Sequence, residues 1–232
     1  GDDLNDPDID FEHTQGQLDI ADESSEFPVV RYRGNDRVEQ DRTFAFEVYS
    51  DSQRTKLLDS YEVTLRDDDT ITLTLTPASI STGEGNPDNG ETSTSRSLVN
   101  LLGEDNLPEI QASGAITEQD YDLVFVRGAA STADGDDISL GAGGDTLTLT
   151  LPAGNYTVTP YTAAIEDIEV HGDRIVENDE TLELTLDSNL FVSGEFTEGA
   201  RTMIPIVLQN DDALELQFDD TTARSDDEDS PS

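Results

Sequence analysis

Apolar and polar residues alternate with a period of two along much of this chain. The alternation is clearest in residues 70–80, 145–154, 180–188 and 201–212, where Thr, Val, Ile and Leu predominate. Successive side chains of a β-strand point to opposite faces, so the pattern predicts strands with one buried face. Glycine, aspartate and proline separate these segments. Many short strands between such turns are typical of an antiparallel β-sandwich.

A helical pattern is nearly absent. Residues 95–105, SRSLVNLLGED, come closest to the 3.6-residue period of an amphipathic helix. The same residues are equally compatible with a strand that ends in a turn. The sequence therefore predicts an all-β fold with negligible helix.

The chain contains an internal repeat. Residues 34–48, GNDRVEQDRTFAFEV, align without a gap with residues 172–186, GDRIVENDETLELTL. Each segment is followed by a further strand and then by an acidic triplet, at 67–69 in the first copy and at 210–212 in the second. The repeated unit thus combines a strand pair with a cluster of acids, although aspartate is disfavoured in strands.

The repeat predicts tandem sandwiches with three parts. Residues 1–69 form the C-terminal part of a first sandwich, residues 70–212 a complete one, and residues 213–232 the opening strand of a further copy with an acidic tail. The second copy carries two insertions, at 128–144 and 156–170. The first insertion is rich in Gly and Asp and predicts a long surface loop. Such loops often carry binding specificity, so a protein or glycan ligand is one expected partner; a plain solvated loop is the alternative.

Charge narrows the set of partners. The chain has 53 acidic and 12 basic residues, with a formal net charge of −41. This charge repels nucleic acid phosphates and anionic lipid surfaces, and it attracts cations. There is no cysteine, so disulfides, zinc–thiolate sites and thiol nucleophiles are excluded. No apolar run approaches the length of a membrane span, so membrane insertion is not expected.

The acid cluster suits a hard cation. Calcium takes six to eight oxygen ligands from carboxylates, carbonyls and water. In GDRIVENDE, Asp173, Glu177 and Glu180 offer carboxylates and Ile175 a backbone carbonyl, and residues 210–212 could meet this loop at one end of the sandwich. So many carboxylates together are unfavourable without a cation. A solvated acidic surface, as in halophilic proteins, is the alternative, but recurrence of the cluster in two copies favours a metal site.

Several motifs resemble one known family. SGAITEQDYDL, LTLPAG, GDRIVENDETLELTL and the terminal NDD are similar to the Calx-β domain of sodium–calcium exchangers, integrin β4 and bacterial surface proteins. The resemblance covers residues from about 8 to 212 and is most specific in DRIVENDETLELTL. It implies an immunoglobulin-like antiparallel sandwich, repeated in tandem, whose calcium sites lie at one tip beside the junction with the next domain.

The resemblance also implies ligands for Ca²⁺. For the second copy these are Glu84, Asp120, Asp173, Ile175 through its carbonyl, Glu177, Glu180, Asp211 and Asp212. For the first copy the matching positions are Asp10, Asn35, Glu39, Asp67, Asp68 and Asp69. The first copy departs from the pattern, because Asn35 replaces an acid and Arg42 stands where the second copy has Glu180.

These observations predict a calcium-binding structural or adhesive repeat of a long extracellular surface protein. Calcium would stiffen it as a spacer, with neighbouring repeats or neighbouring subunits as partners. Two alternatives are a calcium-sensing regulatory module and a filament subunit completed by strands from a neighbour. No enzymatic activity is expected, since neither His13 nor His171 lies in a pattern that pairs a base with a nucleophile.

Overall fold

The computed structural model describes residues 34–85, 94–142 and 144–214, which form an all-β fold with almost no helix. The strands are β1 (Arg42–Tyr49), β2 (Leu57–Leu65), β3 (Ile71–Thr76), β4 (Ile80–Gly83), β5 (Thr94–Ser97), β6 (Glu109–Ser113), β7 (Ile116–Thr117), β8 (Tyr121–Arg127), β9 (Ile138–Leu140), β10 (Thr146–Leu151), β11 (Gly154–Asn155), β12 (Tyr161–Ala164), β13 (Ile168–Gly172), β14 (Glu180–Leu186), β15 (Phe196–Glu198) and β16 (Met203–Gln209). The helices are α1 (Leu98–Leu102) and two 3-10 turns, Glu104–Asn106 and Ser188–Phe191. Residues 95–105 thus combine the end of a strand with the short helix α1 and the start of a 3-10 turn.

The strands form two larger sheets and three smaller ones. The five-stranded sheet has the order β10-β8-β14-β16-β4, and the four-stranded sheet has the order β12-β6-β3-β15. A three-stranded sheet, β5-β13-β9, and the pairs β11-β7 and β1-β2 complete the described part. Pairing between these strands is antiparallel, except that β16 runs parallel to β4 and β15 parallel to β3.

The predicted alternation explains the core. Ile71, Leu73 and Leu75 of β3 are fully buried, as are Leu182 and Leu184 of β14. Both larger sheets contribute to one hydrophobic cluster, and the rings of Tyr121 on β8 and Phe196 on β15 meet edge to face with centroids 5.0 Å apart. Each fully buried aliphatic side chain stabilises the fold by roughly 1.5–3 kcal/mol. The packing is therefore sandwich-like.

The two insertions are not plain surface loops. Residues 128–144 contain β9, which pairs with β13, and its Ile138 and Leu140 are fully buried. Residues 156–170 contain β12 and part of β13, with Ile165 and Ile168 buried. The prediction of a long surface loop at 128–144 is wrong at its C-terminal end, because the glycine and aspartate content obscured a short apolar run.

The internal repeat is visible in the register of two strand pairs. In β1–β2, Arg42 lies opposite Leu65, and in β14–β16, Glu180 lies opposite Leu208. These are aligned positions of the two copies. In both copies, therefore, the acidic triplet follows its strand at the same position relative to the acidic loop that precedes the partner strand.

The distribution of the core predicts which fragment folds alone. All fully buried apolar residues of the described part lie between Ile71 and Leu208, whereas β2 leaves Leu58 60% and Tyr61 72% exposed. We expect residues 70–212 to unfold cooperatively as an isolated fragment and residues 1–69 not to, since a strand pair alone is marginal in water. Chemical denaturation and amide dispersion in NMR spectra of the two fragments measure this. A well-dispersed spectrum from residues 1–69 would show that the boundary is misplaced.

Candidate metal centre

Three segments that are distant in sequence converge at one end of the five-stranded sheet. The first is the end of β4, where the amide of Glu84 donates to the Gln209 carbonyl of β16 at 3.3 Å. The second is the acidic loop that leaves β13 at Gly172 and enters β14 at Glu180. The third is the insertion, which supplies Asp137. Acids from separate parts of the chain thus share one location.

Gly172 allows this convergence. A Cβ atom at position 172 would lie 2.0 Å from the carbonyl oxygen of Gly85 and 2.7 Å from that of Glu84. No side chain fits such an approach, so only glycine lets the acidic loop run against the end of β4. The aligned glycine of the first copy, Gly34, has no described atom within 4 Å of such a Cβ. Among the described residues, the close approach therefore occurs in the second copy.

The carboxylates of Asp137, Glu177 and Glu180 form the densest group. Their ligand oxygens all lie within 4.8 Å of one another. Two oxygens on opposite sides of a calcium ion, each bonded at about 2.3–2.6 Å, are separated by about 4.6–5.2 Å. Asp137 and Glu180 are half-buried and Glu177 is exposed. The group therefore has the span of a calcium coordination shell.

Glu84 lies buried beside this group. The residue is only 5% exposed. Burial raises the pKa of Glu84 to about 7, with further contributions from the charges of Glu177, Asp211, Asp137 and Asp173. A buried carboxylate that faces other carboxylates is unfavourable unless it binds a proton or a cation. The donor set consequently fits a hard cation.

Glu180 and Glu177 are perturbed in the same direction. Burial, a hydrogen bond with Asp137 and the charge of Asp137 raise the pKa of Glu180 to about 7. Burial and the charges of Asp173, Asp137 and Asp134 raise the pKa of Glu177. In the absence of a cation, protons take up part of this negative charge.

The acidic triplet closes the site from the side of β16. Asp211 raises the pKa of Glu84, and Asp212 raises that of Glu177. The amide of Asn210 donates to Asp179 Oδ1 at 3.2 Å. The triplet and the loop are therefore in contact at one end of the sheet, as predicted from the sequence.

The same backbone bonds shape the acidic loop in both copies. The amide of Ile175 donates to Asp173 Oδ1 at 2.6 Å, and that of Arg37 donates to Asn35 Oδ1 at 2.7 Å. Ile175 itself is 59% exposed, and a calcium bond through its carbonyl stays a prediction.

Asp120 lies elsewhere. Its Oδ1 accepts a hydrogen bond from the Ala153 amide at 2.7 Å, at the N-terminal end of β8. The C-terminal end of β8, Arg127, lies opposite Leu184, and Glu180 lies further on in the same direction. The length of β8 thus separates Asp120 from the cluster. Asp120 therefore does not join the group of Asp137, Glu177 and Glu180, and its implied role as a ligand stays a prediction.

Sequence reasoning missed Asp137. It falls in the insertion that was predicted to be a surface loop, and β9 brings it back to the sheet. The neighbouring Asp134 also adds negative charge at Glu180.

The described part of the first copy gathers acids without an equivalent of the triad. Burial and the charges of Asp67, Asp68, Asp36 and Glu39 raise the pKa of Asp69. Within the described residues, three carboxylates close enough to share an ion occur only at Asp137, Glu177 and Glu180. Asp10 lies outside the described residues.

An arginine replaces one acid in that first copy. Arg42 Nη2 lies 2.8 Å from Glu39 Oε1, at the position where the second copy has Glu180. The guanidinium offsets part of the negative charge of this loop. The predicted first-copy ligands Glu39, Asp67, Asp68 and Asp69 line one pocket together with Arg42, and their roles as ligands stay predictions.

No protein-family model matches this chain, and comparison with curated proteins gives no significant match. None of the helices in the described ranges is long and apolar enough to cross a membrane. The resemblance to Calx-β domains therefore depends on the sequence motifs alone and stays a prediction.

Proposed function

We propose that this chain is a non-enzymatic calcium-binding module, built of tandem immunoglobulin-like sandwiches of Calx-β type, from an extracellular surface protein. The observation that supports this most is the buried carboxylate of Glu84 beside the triad of Asp137, Glu177 and Glu180. Three distant segments deliver these acids to one point. An acidic coat that only keeps a protein soluble needs no buried carboxylate, since solvated charges suffice.

A bound calcium ion would supply positive charge that links these segments. The residues that would hold it are Glu84, Asp137, Asp173, Glu177, Glu180, Asp211 and Asp212. Each comes from the end of β4, the insertion, the loop between β13 and β14, or the end of β16. Neutralising their mutual repulsion would tie these elements together and stiffen this end of the module.

The junction between the copies fits a spacer role. The triplet of the first copy is separated from β3 only by Thr70. The first acidic loop also contacts the second copy, since the Val38 amide donates to the Ile116 carbonyl at 2.9 Å and the Ile116 amide donates to the Asp36 carbonyl at 2.7 Å. Arg37 also pairs with Glu118. Copies joined with so little linker can transmit force along an array, with neighbouring repeats as partners.

Calcium titration tests the proposal. After removal of metal with a chelator and buffer exchange, isothermal calorimetry should give a saturable calcium isotherm. Asp137→Asn should weaken the affinity by about tenfold or more, because calcium affinity depends on the number of charged ligands. The matched control is Asp136→Asn, which removes the same charge from an exposed neighbour. It should change the affinity by only about twofold, because an exposed carboxylate that is not a ligand acts on the ion through water that screens its charge.

Magnesium provides a second comparison. It requires tight octahedral geometry and gives up water reluctantly, so it should substitute poorly. A flat calorimetric trace at millimolar calcium would overturn the proposal. Equal losses of affinity in Asp137→Asn and Asp136→Asn would mean that calcium only screens a diffuse surface charge.

A further inference from the structure

Arg127 is the last residue of β8 and lies at the base of the insertion. Its side chain is 16% exposed, and its guanidinium donates hydrogen bonds in three directions. Nη1 donates to the Ala133 carbonyl at 2.5 Å, Nη2 to the Ile138 carbonyl at 2.6 Å, and Nε to Asp145 Oδ1 at 3.2 Å. One side chain thus holds two carbonyls of the insertion and one carboxylate beyond it.

The two carbonyls bracket the turn that carries Asp137. Within this turn the Ile138 amide donates to the Asp134 carbonyl at 3.1 Å, and the Asp134 amide donates to Asp137 Oδ2 at 2.6 Å. The Asp137 carbonyl accepts from the His171 amide of β13 at 2.7 Å. The turn is therefore stabilised by its own hydrogen bonds and by those that the guanidinium donates to its two ends.

The rest of the insertion is anchored independently of Arg127. The Gly128 amide donates to the Glu183 carbonyl at 2.7 Å, and the Thr132 amide donates to the Thr181 carbonyl at 2.8 Å. These bonds fix residues 128–132 along β14. The Ala133 amide also donates to the Thr181 carbonyl, at 3.2 Å. Loss of the guanidinium should consequently loosen the turn at 134–138 while the base of the insertion stays docked.

We propose that Arg127 is a positioning residue for calcium binding: it holds the turn that presents the Asp137 carboxylate to Glu177 and Glu180. This inference rests on the proposed calcium site. Arginine suits the role because its planar fork holds several acceptors in fixed directions, which the single ammonium of lysine does not. Arg127 acts through geometry, since its charge is paired with Asp145 and is not a main influence on the pKa of Glu84, Glu177 or Glu180.

The test is calcium calorimetry on full-chain variants. Arg127→Met should weaken calcium affinity by about tenfold or more, the usual effect of removing a residue that orients a metal ligand. Arg127→Lys keeps the charge and should lose nearly as much. Arg201→Met is the matched control: Arg201 precedes β16 at the end opposite the triplet, where its Nη1 donates to the Leu75 carbonyl at 3.4 Å. Its loss should leave the affinity unchanged.

A double-variant cycle separates positioning from general stability. If Arg127 acts through Asp137, Arg127→Met should cause no further loss of affinity in an Asp137→Asn background. Amide exchange at Ile138 in the chelated protein should also become faster in Arg127→Met, while exchange at Leu182 stays the same. These readouts do not follow from a loss of global stability.

The outcomes are distinguishable. If the wild-type protein binds calcium and Arg127→Met binds it equally well, the positioning role is overturned and the proposed function stands. An undiminished effect of Arg127→Met in the Asp137→Asn background also overturns the role. If the wild-type protein does not bind calcium, the proposed function fails and this inference fails with it.

Discussion

Replacing Glu84 by glutamine should stabilise the metal-free protein and weaken its calcium binding. Glu84 is 5% exposed, and burial and neighbouring carboxylates raise its pKa to about 7 from a usual 4.5. Glutamine removes the cost of keeping this charge buried, which corresponds to up to about 3 kcal/mol at 1.36 kcal/mol per pKa unit. With calcium present the same change removes a buried ligand. We therefore expect a loss of affinity of about a hundredfold.

Two unfolding experiments test whether Glu84→Gln raises stability without calcium and lowers it with calcium. Thermal unfolding in chelator at neutral pH should show Glu84→Gln melting several degrees above the wild type. In saturating calcium the order should reverse. Glu109→Gln is the control, because Glu109 is an exposed residue of β6 and the same charge is removed there. A metal-free Glu84→Gln protein that is less stable than the wild type would show that the carboxylate makes a favourable contact and would argue against its role as a ligand.

The strands were predictable because their pattern is local. Ile71, Leu73 and Leu75 alternate with threonines and are the fully buried positions of β3. The neighbours of each strand were not predictable. Alternation states which face is buried and nothing about which strand lies alongside, so the parallel pairing of β4 with β16 had no signal in the sequence.

The residues of the candidate site also differ in whether local or long-range contacts position them. The acidic loop could be found because its shape depends on bonds between close residues, such as that from Ile175 to Asp173, and because the pattern recurs. Asp137 could not be found from the sequence. Its position depends on the pairing of β9 with β13 and on the hydrogen bonds of the Arg127 guanidinium, and both are contacts between residues distant in the chain. Asp120 shows that an acid beside an aromatic residue has a second use, here as an acceptor for the Ala153 amide.

In the presence of a chelator, the free energy of unfolding should fall as the pH rises from about 4.5 to about 7. The pKa values of Glu84 and Glu180 are raised to about 7 from a usual 4.5 in the folded protein. Between these values the folded state binds more protons than the unfolded state, so raising the pH favours unfolding. Below about 4.5 both states are protonated and the penalty is absent. Urea denaturation at a series of pH values measures the trend.

Calcium should invert this dependence, and the inversion separates a metal site from an acidic coat. Calcium binds the deprotonated carboxylates, so the stabilisation that it gives should grow with pH and level off above about 7. Molar potassium chloride screens charge without occupying the site and should leave the downward slope in place. If the acids were only a halophilic coat, calcium and potassium chloride would change the free energy of unfolding in the same way, and the effect of calcium would not saturate. The variant Glu84→Gln with Glu180→Gln should flatten the slope in chelator, because it removes the two groups whose pKa is raised to about 7. An unchanged slope in that variant would place the origin of the pH dependence outside the cluster.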